Sequence, residues 1–235
     1  MLITSSPYRL TFSFDLGGIS FSKNILSPCL WRLDAMSVLV GKPAPDFTCN
    51  AVLASGEIVE DFNLTNTIKG KIGLVFFYPL DFTFVCPSEL LAVDHRMSKF
   101  EELGVEVIGV SIDSHFSHNA WRNTPINDGG IGPVGYTLAA DISHDICRAY
   151  DVESAGGMAF RGAFIIDEEG VVRSQTVNDL PLGRNFDEFI RVIEALQFHQ
   201  EHGEVCPAGW KKGDSGMTAT PDGVAAYLSE NASKL

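Results

Sequence analysis

The chain has 235 residues, in which 17 Lys and Arg stand against 30 Asp and Glu, for a formal charge of −13 and a pI near 4.8. That balance excludes a protein that binds nucleic acid by neutralising phosphates, since no run of Lys or Arg supplies a basic face. A hydrophobic content of 45% with 16 Phe can fill the core of one ordinary domain, and no stretch approaches the roughly 20 uninterrupted apolar residues of a membrane-spanning helix, so a soluble fold is expected.

Residues 1–35 read differently from the rest. They hold six Ser, three basic residues (Arg9, Lys23, Arg32) and two acids (Asp15, Asp34), so the acidic excess belongs wholly to the following 200 residues. No apolar run with a small-residue cleavage site marks a secretory signal, and Arg is sparse for a mitochondrial transit peptide, although the Ser-rich, acid-poor composition leans that way. Globular patterning begins at the second methionine, Met36. The expected division is a disordered or dispensable leader over 1–35, a catalytic domain over 36–202 and a C-terminal arm over 203–235.

The almost wholly apolar block Ile72–Tyr78, closed by Pro79, predicts a central strand buried on both faces. Leu90, Leu91, Met97, Phe100 and Leu103 follow at helical spacing between Pro87 and Gly104, which predicts one helix. Glu106–Ile112 reads as a second buried strand and Phe116–Arg122 as a short helix. Strand, helix and strand within about 40 residues make a βαβ unit with parallel strands and place the chain in the α/β class. Residues 143–150 predict another short helix, Phe160–Asp167 and Val171–Val177 a hairpin, and Phe186–His202 an amphipathic helix whose first turn carries Asp187 and Glu188. From Gly203 onward, Gly, Pro, Lys and Asp describe a tail outside the core.

Cysteines at 29, 49, 86, 147 and 206 have no neighbours close enough for a CxxC pair or a zinc knuckle. A cysteine in such a chain is by default a small buried hydrophobe in a reducing cytosol, so a functional role must come from its surroundings. Cys86 has them. In Tyr78-Pro-Leu-Asp-Phe-Thr-Phe-Val-Cys-Pro-Ser-Glu-Leu90 it occupies the strand-to-helix turn at the C-terminal edge of the parallel sheet, where such folds place their sites. There the unpaired N–H groups and dipole of the helix stabilise an anionic sulfur, the Thr83 hydroxyl can share the pocket, and Pro79, without an N–H, shields it from water.

The segment Pro79-Leu-Asp-Phe-Thr83-Phe-Val-Cys86 resembles the Pro-x-x-x-Thr-x-x-Cys motif of peroxiredoxins, and Gly203-Glu-Val-Cys206-Pro-Ala-Gly-Trp210 resembles the second-cysteine motif of the typical two-cysteine branch, the alkyl hydroperoxide reductase C or Prx1 type. Phe160–Asp167 and Val177–Arg184 are also similar to that branch, and the likeness runs from about Val38 to Leu228. The resemblance implies a thioredoxin-like fold with a mixed central sheet flanked by helices. It implies that Cys86 is the peroxidatic cysteine, that Thr83, Pro79 and Arg161 assist it, and that Glu89 and Arg184 orient Arg161. Cys206 would then be the resolving cysteine, forming a disulfide with Cys86 of a second subunit, in a homodimer that assembles further into a decamer of five dimers. Gly129-Gly-Ile-Gly132 and Tyr227-Leu228 look like the loop and tail that slow local unfolding in peroxide-sensitive members. Leu228 departs from the Tyr-Phe pattern, and intermediate sensitivity to overoxidation is expected.

No nucleotide, flavin, haem or metal motif stands out, so no cofactor is expected and electrons must come from a protein, either thioredoxin or a flavoprotein disulfide reductase. Hydrogen peroxide and organic hydroperoxides are the implied substrates. His115-x-x-His118 and His199-x-x-His202 each share a helix face but lack a third ligand, and read as solvated faces. A cysteine hydrolase would need a His base aimed at Cys86, which nothing local names. The rival functions are a thioredoxin-like disulfide oxidoreductase, weakened by the absent CxxC, and a redox-regulated chaperone or peroxide sensor. Cys29, Cys49 and Cys147 have no assigned role. The expected compartment is the cytoplasm, with the mitochondrion kept open by the leader.

Overall fold

The structure, a computed structural model, describes residues 38–235, except the side chain of Lys234, and the backbone of three strands before them. The chain divides into two units, Met1–Met36 and Ser37–Leu235. In the first, β1 (Ser5–Ser6), β2 (Arg9–Leu16) and β3 (Ile19–Asn24) form an antiparallel sheet in that order. Arg9–Leu16 alternates polar and apolar residues with the two-residue period of a strand, a pattern present in the sequence but outweighed there by composition.

The second unit is built on one seven-stranded mixed sheet. Its strands are β4 (Thr48–Val52), β5 (Ile58–Asn63), β6 (Ile72–Phe77), β7 (Val105–Ser111), β8 (Thr137–Ala140), β9 (Arg161–Ile166) and β10 (Val172–Asn178), in the order β10-β9-β6-β7-β8-β4-β5. Strands β6, β7 and β8 are parallel, while β9, β10, β4 and β5 join antiparallel. The expected βαβ unit and hairpin are therefore present, in a thioredoxin-like sheet flanked by helices.

The two faces of β6 fill two separate cores. Ile72, Leu74, Phe76 and Tyr78 point to one, with Leu90, Val93, Phe100, Phe186, Phe189 and Ile193; Val75 and Phe77 point to the other, with Ile146, Cys147 and Tyr150. Alternation of a fully apolar strand between two layers explains why its six residues are all buried.

Several elements depart from the sequence reading. The single helix expected through Leu103 is two, α2 (Cys86–Asp94) and α3 (Met97–Glu102), because Arg96 leaves helical geometry at φ −110 and ψ 2 and turns its guanidinium back to the Ala92 carbonyl. Strands β4, β5 and β8 and the turn α1 (Leu64–Thr67) went unassigned; β8 is only four residues long and β5 is largely exposed, so neither shows a decisive period. The histidine pair expected on a solvated face lies inside: His115 and His118, on α4 (His115–Asn123), are both buried. A further helix, α5 (Asp145–Ala149), leads towards β9, and α6 (Phe186–His202) matches its expected bounds. The arm after Gly203 is partly ordered against α6 and carries α7 (Pro221–Asn231), a helix with no buried residue. Trp210 of the arm is buried, its carbonyl accepting from Arg191 Nη1 at 2.8 Å and its ring centred 4.9 Å from Phe198.

Candidate active site

The turn after β6 ends with Cys86 as the first residue of α2, as the sequence suggested. Pro87 follows it, where a missing N–H costs nothing because the first amides of a helix have no intrahelical acceptor. The Cys86 side chain is only 1% exposed and packs in the first core, and Pro79, at the start of the turn, is also buried.

Arg161 opens β9, the neighbour of β6, and this pairing carries its guanidinium to the sulfur: Nη1 lies 3.6 Å from Cys86 Sγ. The same Nη1 donates to Glu89 Oε2 at 2.6 Å, and Nε donates to the Leu180 carbonyl at 2.6 Å. Glu89 sits three residues after Cys86, hence on the same side of α2. Its Oε1 accepts from the Arg184 amide at 2.9 Å and from Arg184 Nε at 2.8 Å, and its Oε2 from Arg184 Nη2 at 3.1 Å. The Arg184 guanidinium also lies 5.5 Å from the Phe76 ring centroid and 5.4 Å from that of Phe186.

Burial pushes the Glu89 carboxyl towards protonation, but the hydrogen bonds and charge of Arg184, joined by Arg161, outweigh it and hold Glu89 below the usual carboxylate range. Arg184 is shifted down by burial, against the opposing pull of Glu89. Two buried guanidiniums and one carboxylate leave a formal charge of +1 beside Cys86. The sulfur's hydrogen-bond partner is thus a guanidinium, which orients and stabilises an anion but cannot serve as the base a cysteine hydrolase requires.

The half-buried Thr83 donates its hydroxyl hydrogen to the Leu80 carbonyl at 2.8 Å, leaving its oxygen as an acceptor in the turn. Phe82, next to it, has φ 53, a left-handed conformation that is costly for a residue with a Cβ. What holds the turn is a buried polar group that the sequence reading did not single out. Asp81 accepts from Tyr78 Oη at 2.9 Å and Ser117 Oγ at 2.8 Å and contacts His118 Nδ1 at 2.8 Å, while its amide donates to Asp113 Oδ2 at 2.9 Å. His118 Nε2 reaches the Ala139 carbonyl at 3.3 Å. Burial and the charge of Asp81 raise the Tyr78 hydroxyl well above its ordinary value, and burial with the same Asp81 raises Asp113. The aspartate inside the motif was the available signal, but apart from Tyr78 its partners lie 32 to 37 residues away on other elements.

Residues 40–175 match the family model for the AhpC/TSA family, and residues 195–230, which include Cys206, match the C-terminal domain of 1-Cys peroxiredoxin. The chain belongs to the AhpC/TSA family. It is similar to alkyl hydroperoxide reductase C of Helicobacter pylori strain 26695, with 54% identity covering 84% of this chain and all of that one. Peroxiredoxin-2 of Macaca fascicularis is 48% identical over 82% of this chain and 96% of its own. Among solved structures, the reduced 2-Cys peroxiredoxin of Plasmodium vivax aligns with a TM-score of 0.79 and 45% identity, covering 82% of this chain and 99% of that one.

Within this AhpC/TSA chain the structure joins Cys86, Arg161, Glu89 and Arg184 in one set of contacts, places Pro79 and Thr83 in the turn that leads to Cys86, and leaves Cys206 elsewhere. Cys206 is half-buried in the arm, its Sγ donating to the Ala195 carbonyl of α6 at 3.4 Å, and burial raises its thiol above the ordinary value. Both cysteines are free thiols. Gly129–Gly132 forms a tight loop in which a Cβ on Gly130 would fall 1.9 Å from the Thr124 carbonyl oxygen, and Tyr227 and Leu228 lie on α7. His199 and His202 are exposed, as expected. Burial raises the Cys49 thiol to about 11, and burial with Asp141 raises that of Cys147 to about 12, so both are poor nucleophiles at neutral pH. Cys29 lies outside the described residues.

Proposed function

We propose that this chain is a thiol-dependent peroxidase of hydrogen peroxide and organic hydroperoxides in which Cys86 is the attacking residue. The observation that carries this reading is Arg161 Nη1 at 3.6 Å from a thiol placed at a helix N-terminus and locked there by Glu89. The thiolate attacks the terminal peroxide oxygen and the O–O bond breaks. Sulfur is oxidised to a sulfenic acid, and the other oxygen leaves as water or an alcohol after taking up one proton. Charge moves onto the departing oxygen as this happens, so the fixed donors of Arg161 stabilise the transition state more than the bound peroxide, while the Thr83 oxygen, its hydrogen held by the Leu80 carbonyl, is placed to accept from the peroxide O–H.

Cys206 of a second subunit then condenses with the sulfenic acid, expelling water and forming an intersubunit disulfide, which a dithiol protein, thioredoxin or a flavoprotein disulfide reductase, returns to two thiols. Such condensation needs the first turn of α2 to open, because Cys86 is buried in the closed site. A homodimer assembling into a decamer, a cytoplasmic location with the mitochondrion as alternative, a dispensable leader over 1–35, a catalytic domain over 36–202 and a resolving arm over 203–235 complete the reading. No helix among the described residues is long and apolar enough to cross a membrane.

Peroxide consumption with a thioredoxin system tests it. Cys86→Ser should lose the activity. Cys206→Ser should still react once with peroxide but no longer run as a disulfide dimer on a non-reducing gel. An unchanged rate in Cys86→Ser would refute the peroxidatic assignment, and a persisting peroxide-induced dimer in Cys206→Ser would refute the resolving one.

A further inference from the structure

Cys147 belongs to the core on the far face of the sheet from Cys86, and the peroxidase reading gives it no task. Two side chains nearby are arranged around it. His144 is the N-cap of α5 and Glu153 follows the helix, and both are half-exposed while Cys147 is buried. His144 Nδ1 lies 2.7 Å from Glu153 Oε1, Cys147 Sγ donates to the His144 carbonyl at 3.3 Å, and the three side-chain donor atoms all lie within 4.8 Å of one another.

The backbone at this place is unusual. Among the described residues only three non-glycines have positive φ: Phe82 in the turn before Cys86, and His144 (φ 63) and Asp151 (φ 53), which bracket α5. Such a conformation is costly for a residue with a Cβ and persists only where the surrounding structure imposes it, which is most often at functional places. On either side of α5, His144 and Glu153 keep their donor atoms within 4.8 Å of Cys147 Sγ. Asp141 fixes the helix between them by accepting the amides of Ile146 at 3.0 Å and Cys147 at 2.7 Å. A second anomaly adjoins the first. Ser154, next to Glu153, carries the one buried side-chain oxygen or nitrogen among the described residues without a hydrogen-bond partner.

We propose that His144, Cys147 and Glu153 form a binding site for a thiophilic divalent cation of the zinc class. Imidazole nitrogen, thiolate sulfur and one carboxylate oxygen suit zinc, whereas calcium and magnesium prefer oxygen alone. Tetrahedral zinc, with bonds of about 2.0–2.3 Å, needs donors roughly 3.3–3.8 Å apart, so closing this set takes side-chain adjustment and no change of fold. Binding sends the proton of the Cys147 thiol to solvent, leaves a neutral imidazole whose N–H sits on the nitrogen turned away from the ion, and involves no change of oxidation state. Arg148 opposes it, since Nε and Nη2 contact Glu153 at 2.8 and 3.1 Å, but its side chain is 53% exposed and can swing clear into water.

Cobalt(II) is the probe, because only a thiolate ligand gives it an intense near-ultraviolet charge-transfer band. The full chain carrying Cys86→Ser and Cys206→Ser, reduced and stripped of metal, should take up one equivalent of cobalt with that band, and zinc should displace it. Adding Cys147→Ser should abolish the band, His144→Ala should abolish or strongly reduce it, and Glu153→Gln should weaken affinity by about tenfold. Circular dichroism identifies the folded variants, and the near-isosteric Cys147→Ser decides the matter if His144→Ala does not fold. Absence of a band at millimolar cobalt, or a band that survives Cys147→Ser, would overturn the proposal. Neither result bears on the peroxidase reading, because that is tested at Cys86.

Discussion

Replacing Glu89 by Gln removes the only negative charge between two buried guanidiniums while keeping the shape of the side chain. The remaining oxygen can still accept from the Arg184 amide and Nε, but the new amide nitrogen meets Arg161 Nη1 and Arg184 Nη2 with its own hydrogens, so two of four hydrogen bonds are lost. Leaving a buried ion pair without one partner costs about 3–5 kcal/mol. At about 2–4 °C per kcal/mol for a domain of this size, the thermal midpoint should fall by roughly 6–20 °C. Arg161 also loses the carboxylate that aims it at Cys86, so peroxide oxidation of the folded variant at 25 °C, followed by stopped-flow fluorescence, should slow by about tenfold to a hundredfold. Because the folded Glu89 carboxyl lies below its ordinary 4.5, its contribution is present above that pH and is lost as pH falls through the lower folded value. Gln does not titrate there. The gap in midpoint between wild type and variant should therefore be widest near neutrality and narrow below about pH 4.5. A fall of less than about 3 °C at pH 7 together with an unchanged oxidation rate would show that the Arg161–Glu89–Arg184 group neither holds the site nor tunes it.

The raised thiols of Cys49 and Cys147 predict that iodoacetamide at pH 7.5 leaves both unmodified in the folded chain; peptide mapping that finds either labelled as fast as a free thiol contradicts the burial argument. Gly130→Ala forces a Cβ against the Thr124 carbonyl and should cost about 2–4 kcal/mol by thermal denaturation. By loosening the 129–132 loop it should also lower the yield of sulfinic Cys86 in a peroxide titration read by mass spectrometry. Wild type should accumulate that product at large peroxide excess, and finding none would refute the intermediate sensitivity expected from Leu228. A chain starting at Met36 should keep its peroxidase rate within about twofold and its thermal midpoint within about 4 °C, the shift that about 1 kcal/mol produces, whereas a tenfold loss of rate would make residues 1–35 part of the working protein.

The sequence by itself determined a strand over Ile72–Tyr78, the turn that puts Cys86 at a helix start, a parallel partner over Glu106–Ile112 and the long helix Phe186–His202, each within a residue of its bounds in the fold, because each is written in local period and in the placement of proline. The resemblance of the segments around Cys86, Arg161 and Arg184 to the family also named Cys86, Glu89, Arg161 and Arg184, which meet at the candidate site. Their contact, however, follows from pairings between distant elements. Arg161 reaches the sulfur because β9 runs antiparallel beside β6, and Arg184 reaches Glu89 across 95 residues. The antiparallel half of the sheet, the break at Arg96 and the burial of His115 and His118 were likewise decided by tertiary structure. So was the clasp on Asp81: a histidine on a polar helix face reads as solvated until the carboxylate that packs against it arrives from another part of the chain. Local patterning fixes where a side chain can point, and only the packed sheet decides what it meets.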